Sequence, residues 1–260
     1  MGDYAVKGYN LPDAYHNALR RLHDCGEISD CADWGTTQKE ISLTMEVTEP
    51  LTEPMISKCF IGGPYELQQY VMEMLDGILD FEVDNGKWVY TYHDRMVRYP
   101  GNDGYMIDQV SFVINELRRN PSSRRAVILV RSKDDIGSDE PSCLQHIQYF
   151  IRNGKLQCMV LFRSNDACKA TFMNAFALIM LQKRIADELG VEIGSYNHRA
   201  NSFHCYEKDF DLLEGYVNRI NNSDFEDLCY DYDGDWKEEM DAAVDDIMEK
   251  VEELKTHGQN

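Results

Sequence analysis

The sequence is short of positive charge. Its 26 lysines and arginines stand against 46 aspartates and glutamates, a formal net charge of −20 over 260 residues. Broad binding to nucleic acid or to an anionic membrane rests on basic surface, so neither is expected, and an anionic substrate needs a local basic pocket. Long apolar runs are also missing. The longest largely apolar stretch, Phe172 to Leu181, is too short to span a bilayer, and Met1-Gly2-Asp3 opens no signal-like segment, so a cytoplasmic protein is expected. The eight cysteines, at positions 25, 31, 59, 143, 158, 168, 205 and 229, include no CxxC pair. A secreted disulfide framework is therefore unexpected, most of these thiols should be reduced and buried, and no metal is called for. Internal repeats and low-complexity linkers are absent too. With 43% hydrophobic residues the chain suits one large α/β (α+β) domain over residues 1–222, followed by an acidic C-terminal helical appendage over 223–260.

Periodicity places the elements. Leu11 to Gly26 reads as a helix, with Asp13 expected to cap it and Ala18, Leu19 and Leu22 on one face. Ile41, Leu43, Met45 and Val47 alternate with other residues, as in a half-buried strand. Tyr65 to Leu79 carries a broad apolar stripe and two glutamates, Glu66 and Glu73, nearly in line along the helix. A third helix is expected from Ile107 to Leu117, and a buried strand from Ala126 to Val130. Asn153-Gly154 favours a two-residue hairpin turn between the alternating runs Ile147 to Ile151 and Leu156 to Phe162. Phe172 to Gly190 is the most apolar helix, Val191 to His198 a returning strand, and Trp236 to Leu254 a last amphipathic helix.

Cys143 stands between the loop Asp134 to Ser142 and the first hairpin strand, where a thiol can be presented at a cleft edge. A free thiol, with a pKa of roughly 8.5, needs a nearby cation to be mostly ionised at neutral pH, and Arg163 at the end of the paired strand can serve. Arg124-Arg125 and Arg163-Ser164 offer guanidinium forks suited to phosphate, with surface salt bridging as the plain alternative. Asn174 falls inside the apolar helix, where an amide must pair both its ends; it can pack internally or bond O4 and N3–H of a uracil together.

Tyr92, Asp108-Gln109, Ser123-Arg124-Arg125, Pro141-Ser142-Cys143 with Gln148 five residues on, Arg163-Ser164-Asn165-Asp166, Asn174 and His204-Cys205-Tyr206 resemble thymidylate synthase and its relatives, the pyrimidine nucleotide hydroxymethylases. The resemblance covers about Tyr90 to Phe210, in the family's order and close to its spacing. It implies a mixed β-sheet flanked by helices, with sheets packed back to back in a homodimer whose active sites are shared. It also implies a Michael addition in which the Cys143 thiolate attacks C6 of a pyrimidine nucleotide monophosphate, so that C5 captures a one-carbon unit from 5,10-methylenetetrahydrofolate or a tetrahydromethanopterin analogue. Arg163 and Ser164 would hold the phosphate, joined by Arg124 and Arg125 of the other subunit. His204 and Tyr206 would bond the sugar, Gln148 would support the site, Asn165 would join the substrate-binding residues, Asp166 would contact the pterin, and Tyr92 with Glu73 or Glu66 would handle protons.

Departures from the family pattern bear on the product. Leu144 replaces the histidine after the nucleophile, Lys169 to Met173 replaces an apolar glycine-proline run, and Asn201-Ser202 replaces Gly-Asp. Asp33-Trp34-Gly35 stands where the phosphate loop has Arg-Thr-Gly, and the acidic helix replaces the apolar closing tail. Three readings stay open: conversion of dUMP to dTMP, which Asn174 favours; hydroxymethylation of dCMP, dUMP or CMP, which Ser202 and the altered run favour; and an inactive nucleotide-binding homologue.

Overall fold

The computed structural model describes residues 1–257. In chain order the elements are β1 (Asp3–Gly8), α1 (Leu11–Cys25), β2 (Glu27–Cys31), β3 (Thr36–Val47), β4 (Ile56–Ser57), α2 (Pro64–Asp76) and α3 (Phe81–Asp84). Then come α4 (Tyr92–Val97), β5 (Tyr99–Pro100), β6 (Met106–Ile107), α5 (Gln109–Arg119), β7 (Val127–Leu129), β8 (Leu144–Arg152), β9 (Lys155–Phe162) and β10 (Asn165–Asp166). The chain closes with α6 (Thr171–Leu189), β11 (Glu192–Tyr206), α7 (Phe210–Asn222), β12 (Cys229–Tyr230) and α8 (Lys237–His257).

The expected mixed sheet is present. Its order is β1-β3-β11-β9-β8-β7, with β2 added on β3 and β10 on β11. The pairs β1/β3, β9/β11 and β10/β11 are parallel and the others antiparallel. Helices α1, α5 and α6 pack on the sheet. Alternation sends Leu43, Met45, Ile147, Tyr149, Cys158, Val160 and Tyr196 to that covered face, all nearly inaccessible. The opposite positions, Leu129 and Met159 among them, stay open in the single chain at 45% and 41% exposure. Under the covered face Phe172 of α6 stacks on Phe60 at 5.2 Å and meets Tyr15 of α1 at 5.4 Å.

Several element ends differ from the sequence reading, each for a local reason. Asn10, not Asp13, caps α1: its Oδ1 accepts the Asp13 N–H, while the Asp13 carboxylate accepts from Tyr9 N–H. Helix α2 stops at Asp76 because Gly77 turns left-handed at φ +63°, which leaves Ile78 and Leu79 beyond it. Ile107 lies in the short β6 and is 44% exposed, with Asp108 capping α5 through Ser111 N–H. Strand β11 runs on from His198 to Tyr206 through a register shift between Ala200 and Phe203, which carries His204 and Tyr206 in strand geometry toward β10. Asn153 and Gly154 both take positive φ, as a primed hairpin turn requires.

All eight cysteines are free thiols, five of them buried. Helix α8 packs along α2, burying Met240, Ile247 and Val251, and Trp236 before it lies against Phe60. The carboxylate of Glu53 accepts the Tyr232 and Asp233 N–H groups and pins the turn that leads into this helix. Among the described residues no helix is long and apolar enough to cross a membrane.

Candidate active site

The hairpin delivers Cys143 and Arg163 to one place. Its turn pairs Arg152 with Lys155 and Ile147 with Val160; a shift between His146 and Leu144 then sets Leu144 opposite Phe162. Such a bulge re-aims the strand end. The Cys143 carbonyl accepts the Arg163 N–H at 2.8 Å, and the Arg163 guanidinium donates to the carbonyls of Ser142 at 3.1 Å and Pro141 at 2.7 Å. The arginine thereby fixes the loop that carries the thiol. Three further bonds hold this loop from below: Asp135, 1% exposed, accepts from Arg95 at 3.1 Å, from Ser132 N–H at 2.9 Å and from the Ser142 hydroxyl at 3.1 Å. Sequence reading missed Arg95 and Asp135. The one local signal was Ser132 three residues before Asp135, a capping-box spacing in what reads as a loop.

Beside Cys143 lies a cleft of about 560 Å³, walled by Trp34, Tyr70, Glu73, Tyr90, Tyr92 and Arg163. The tyrosine hydroxyls at 70, 90, 92 and 206 are near enough to Cys143 for a charge on its sulfur to raise their pKa values, although burial is the larger cause at each. Tyr90 is pushed up to about 12, with Arg163 and Arg95 working the other way. The Tyr92 hydroxyl bonds the Leu144 backbone. Asn174, 5% exposed on α6, receives a hydrogen bond on its Oδ1 from the Tyr70 hydroxyl of α2.

The two candidate glutamates have separate fates. Glu66 is exposed in the first turn of α2, where its carboxylate accepts the Gly63 N–H at 2.9 Å. Glu73 lies two turns on and faces the cleft, and burial raises its pKa against a lowering hydrogen bond from Gln69. A carboxyl in a cleft that holds its proton to higher pH is a proton-transfer candidate.

At the β10 end, Asp166 pairs in register with His204, and its Oδ1 accepts the Cys168 and Lys169 N–H groups at 2.9 Å. His204 is 3% exposed and burial lowers its pKa, so it is neutral. Its Nδ1 lies 3.2 Å from the Ser202 carbonyl and 3.4 Å from the Ser164 hydroxyl. With the proton on Nδ1 the other nitrogen is an acceptor, and that Nε2 is buried without a partner among the described residues. An added hydroxyl would satisfy it. Tyr206 sits edge-on to His204 at 4.8 Å and to Trp34 at 6.5 Å.

Other expected site residues lie elsewhere. Asn165 turns inward, its Oδ1 accepting from Thr171 and from His198 Nε2, each at 2.8 Å. His198, its pKa pushed down to about 3 by burial, bonds Tyr196 through the other nitrogen at 2.9 Å. This buried chain anchors β10 beneath the site. Gln148 donates to the Arg124 carbonyl at 2.9 Å on the open face of the sheet, away from the cleft. Arg124 and Arg125 are exposed and also outside the cleft, and Arg125 pairs with Glu116 at 3.1 Å. Tyr70, Tyr90 and Trp88 line the cleft without having been singled out, because no local pattern separates such residues from packing aromatics.

The family model described as "Thymidylate synthase" matches residues 64–259. A Methanocaldococcus jannaschii protein named "Putative thymidylate synthase" is 34% identical over 221 residues, covering 81% of this chain and 95% of its own. A Methanosarcina barkeri protein of the same name is 26% identical, covering 83% and 95%. Among solved structures, thermostable thymidylate synthase A from Bacillus subtilis superposes with a TM-score of 0.64 at 18% identity, covering 84% of this chain and 92% of that one, a likeness of fold.

Proposed function

Because the chain belongs to the thymidylate synthase family, we propose that it transfers a one-carbon unit to C5 of dUMP through a covalent bond from Cys143 to C6, yielding dTMP. The observation that carries this reading is a cleft lined by Arg163, Glu73 and Tyr70, with Cys143 held against it through Arg163 and Asn174 bonded to Tyr70 behind its wall.

In this reading Arg163 holds the loop that presents Cys143, whose sulfur adds to C6 while the pyrimidine electrons move toward C5 and O4. Asn174 bonds the O4 and N3 edge, and protonated Glu73 supplies the proton that the developing charge at O4 needs. The Tyr92 hydroxyl lies on the nucleophile's side of the cleft and helps move the proton that leaves C5. Loss of that proton lets sulfur depart from C6 and restores the ring double bond. His204 Nε2 accepts the sugar hydroxyl it lacks, with Tyr206 beside it. Arg163 and Ser164 meet the phosphate.

The cleft also suits a flat heteroaromatic donor. Trp34 and Trp88 line it while remaining 73% and 45% exposed, and Leu79 and Val89 add apolar wall. When bound there, 5,10-methylenetetrahydrofolate or its tetrahydromethanopterin counterpart would supply the one-carbon unit and also the hydride that reduces it to a methyl group, leaving the donor ring oxidised by two electrons. Asp33 and Trp34, where the family has a phosphate-loop arginine, leave the phosphate fewer ligands from its own subunit. Exposed Arg124 and Arg125, beside the open sheet face with Leu129 and Met159, fit a second copy packed back to back, whose arginines complete the phosphate site.

Protein incubated with C5-tritiated dUMP or dCMP and the methylene donor should release tritium from dUMP, and the product mass should be that of a methylated nucleotide. A hydroxymethyl product, or release from dCMP alone, would replace dTMP synthesis by the hydroxymethylase reading. No release from either nucleotide, with dUMP still bound, would sink both.

A further inference from the structure

An amide side chain is nearly symmetric in shape but opposite in chemistry at its two ends, one accepting and the other donating hydrogen bonds. A pyrimidine edge inverts in the same way. Uracil offers an acceptor at O4 beside a donor at N3, whereas cytosine offers a donor at N4 beside an acceptor at N3. An asparagine free to turn over reads either base equally well; one held in a single orientation reads only one. Asn174 therefore selects a base only if something fixes its amide.

We propose that Tyr70 is that lock: its hydroxyl donates to Asn174 Oδ1 and so makes the amide selective between the two pyrimidines. The two residues are 104 positions apart and are brought together by the packing of α2 on α6. Tyr70 remains a phenol throughout, since burial, with Glu73 next, pushes its pKa well above the ordinary value. Its proton needs an acceptor, and Asn174 Oδ1 is the one it has among the described residues. Nδ2 donates to no protein group among the described residues, so in the proposed reading its N–H groups and the second lone pair of Oδ1 serve the ligand. Turning the amide over would set Nδ2 against the phenol and strand the Tyr70 proton in a largely buried place, a cost of about 1–3 kcal/mol, or roughly five- to 150-fold in population.

The nearby polar groups do not compete for this role. Glu73 accepts from Gln69 at 2.8 Å, and Tyr196 is committed to His198 at 2.9 Å. Tyr70 acts through Asn174 and is a positioning residue. This inference rests on the proposed pyrimidine nucleotide reading, with dUMP as the favoured ligand.

The test is the ratio of dissociation constants for dUMP and dCMP, measured by titration calorimetry without the donor. Wild type should favour dUMP, and Tyr70→Phe should lower the dCMP-to-dUMP ratio by about tenfold or more, while a general loosening of the cleft would weaken both ligands together. Tyr70→Leu supplies the same reading if the phenylalanine variant folds poorly. In an Asn174→Asp background the two side-chain oxygens are equivalent and nothing is left to lock, so adding Tyr70→Phe should leave the ratio where aspartate puts it. An unchanged ratio in the Tyr70 single variants, with both nucleotides bound, would overturn the lock and leave the proposed reaction standing. Failure of wild type to bind either nucleotide would overturn the reading itself and the lock with it.

Discussion

Cys143→Ala should reduce tritium release from C5-labelled dUMP by roughly 10⁴-fold or more, because loss of a nucleophile removes the covalent route rather than weakening one contact. Nucleotide binding should change little. The thiol is half-buried just before β8, and Arg163 secures its loop through backbone carbonyls that alanine keeps. The same variant tests whether sites are shared. Arg124→Ala/Arg125→Ala should also be inactive, since those arginines lie outside their own cleft. Refolded together in equal amounts, the two inactive proteins should recover about one quarter of wild-type activity, as half of a random two-fold mixture is hybrid and each hybrid holds one complete site. Silence of the mixture, with each variant folded and dimeric, would show that each cleft works with its own arginines or none.

Glu73→Gln should lower turnover by about 10²–10⁴-fold, the range for a lost general acid or base. Its pH signature is specific. Burial raises the Glu73 pKa above the ordinary 4.5, so the folded protein holds this proton at pH values where an exposed glutamate has lost it. Any step that uses the acid form persists below the raised pKa and declines as pH rises through it. The stability contribution has the same sign: it is complete below the ordinary glutamate range and lost as pH climbs past the raised value. The Glu73→Gln variant should therefore lack the alkaline decline in its residual activity and should melt no earlier than wild type at alkaline pH. A retained alkaline limb of the same position would assign that titration to another group. Glu66→Gln should leave turnover unchanged, because that carboxylate caps α2 and does not line the cleft.

What the sequence discloses and what it hides follow from how local each signal is. Asn153-Gly154 and the alternation on either side fix the hairpin register within a few residues, and that register brings Cys143 to Arg163. The apolar run of α6 likewise identifies itself and carries Asn174. The choice between Glu66 and Glu73 needs the helix start, which Gly63 and Pro64 set so that Glu66 falls in the first turn. Beside Arg163, Ser164 and Asp166, Asn165 reads as a residue facing the substrate. Alternation on the short β10 instead sends it inward to His198, a partner 33 residues away. Tyr70 and Asp135 are out of reach for the same reason: their roles depend on Asn174 and Arg95, 104 and 40 residues distant. The full length of β11 is hidden because the register shift after Ala200 breaks the alternation.

The most direct measurement is the mass of the protein after incubation with 5-fluoro-dUMP and the methylene donor. Fluorine cannot leave C5 as a cation, so a reaction that adds sulfur at C6 and carbon at C5 must stop with both still attached. The protein should gain the mass of nucleotide plus donor, and peptide mapping should place it on Cys143, with none in Cys143→Ala. A protein that binds the analogue and keeps its original mass, or carries the adduct on another cysteine, would contradict the account.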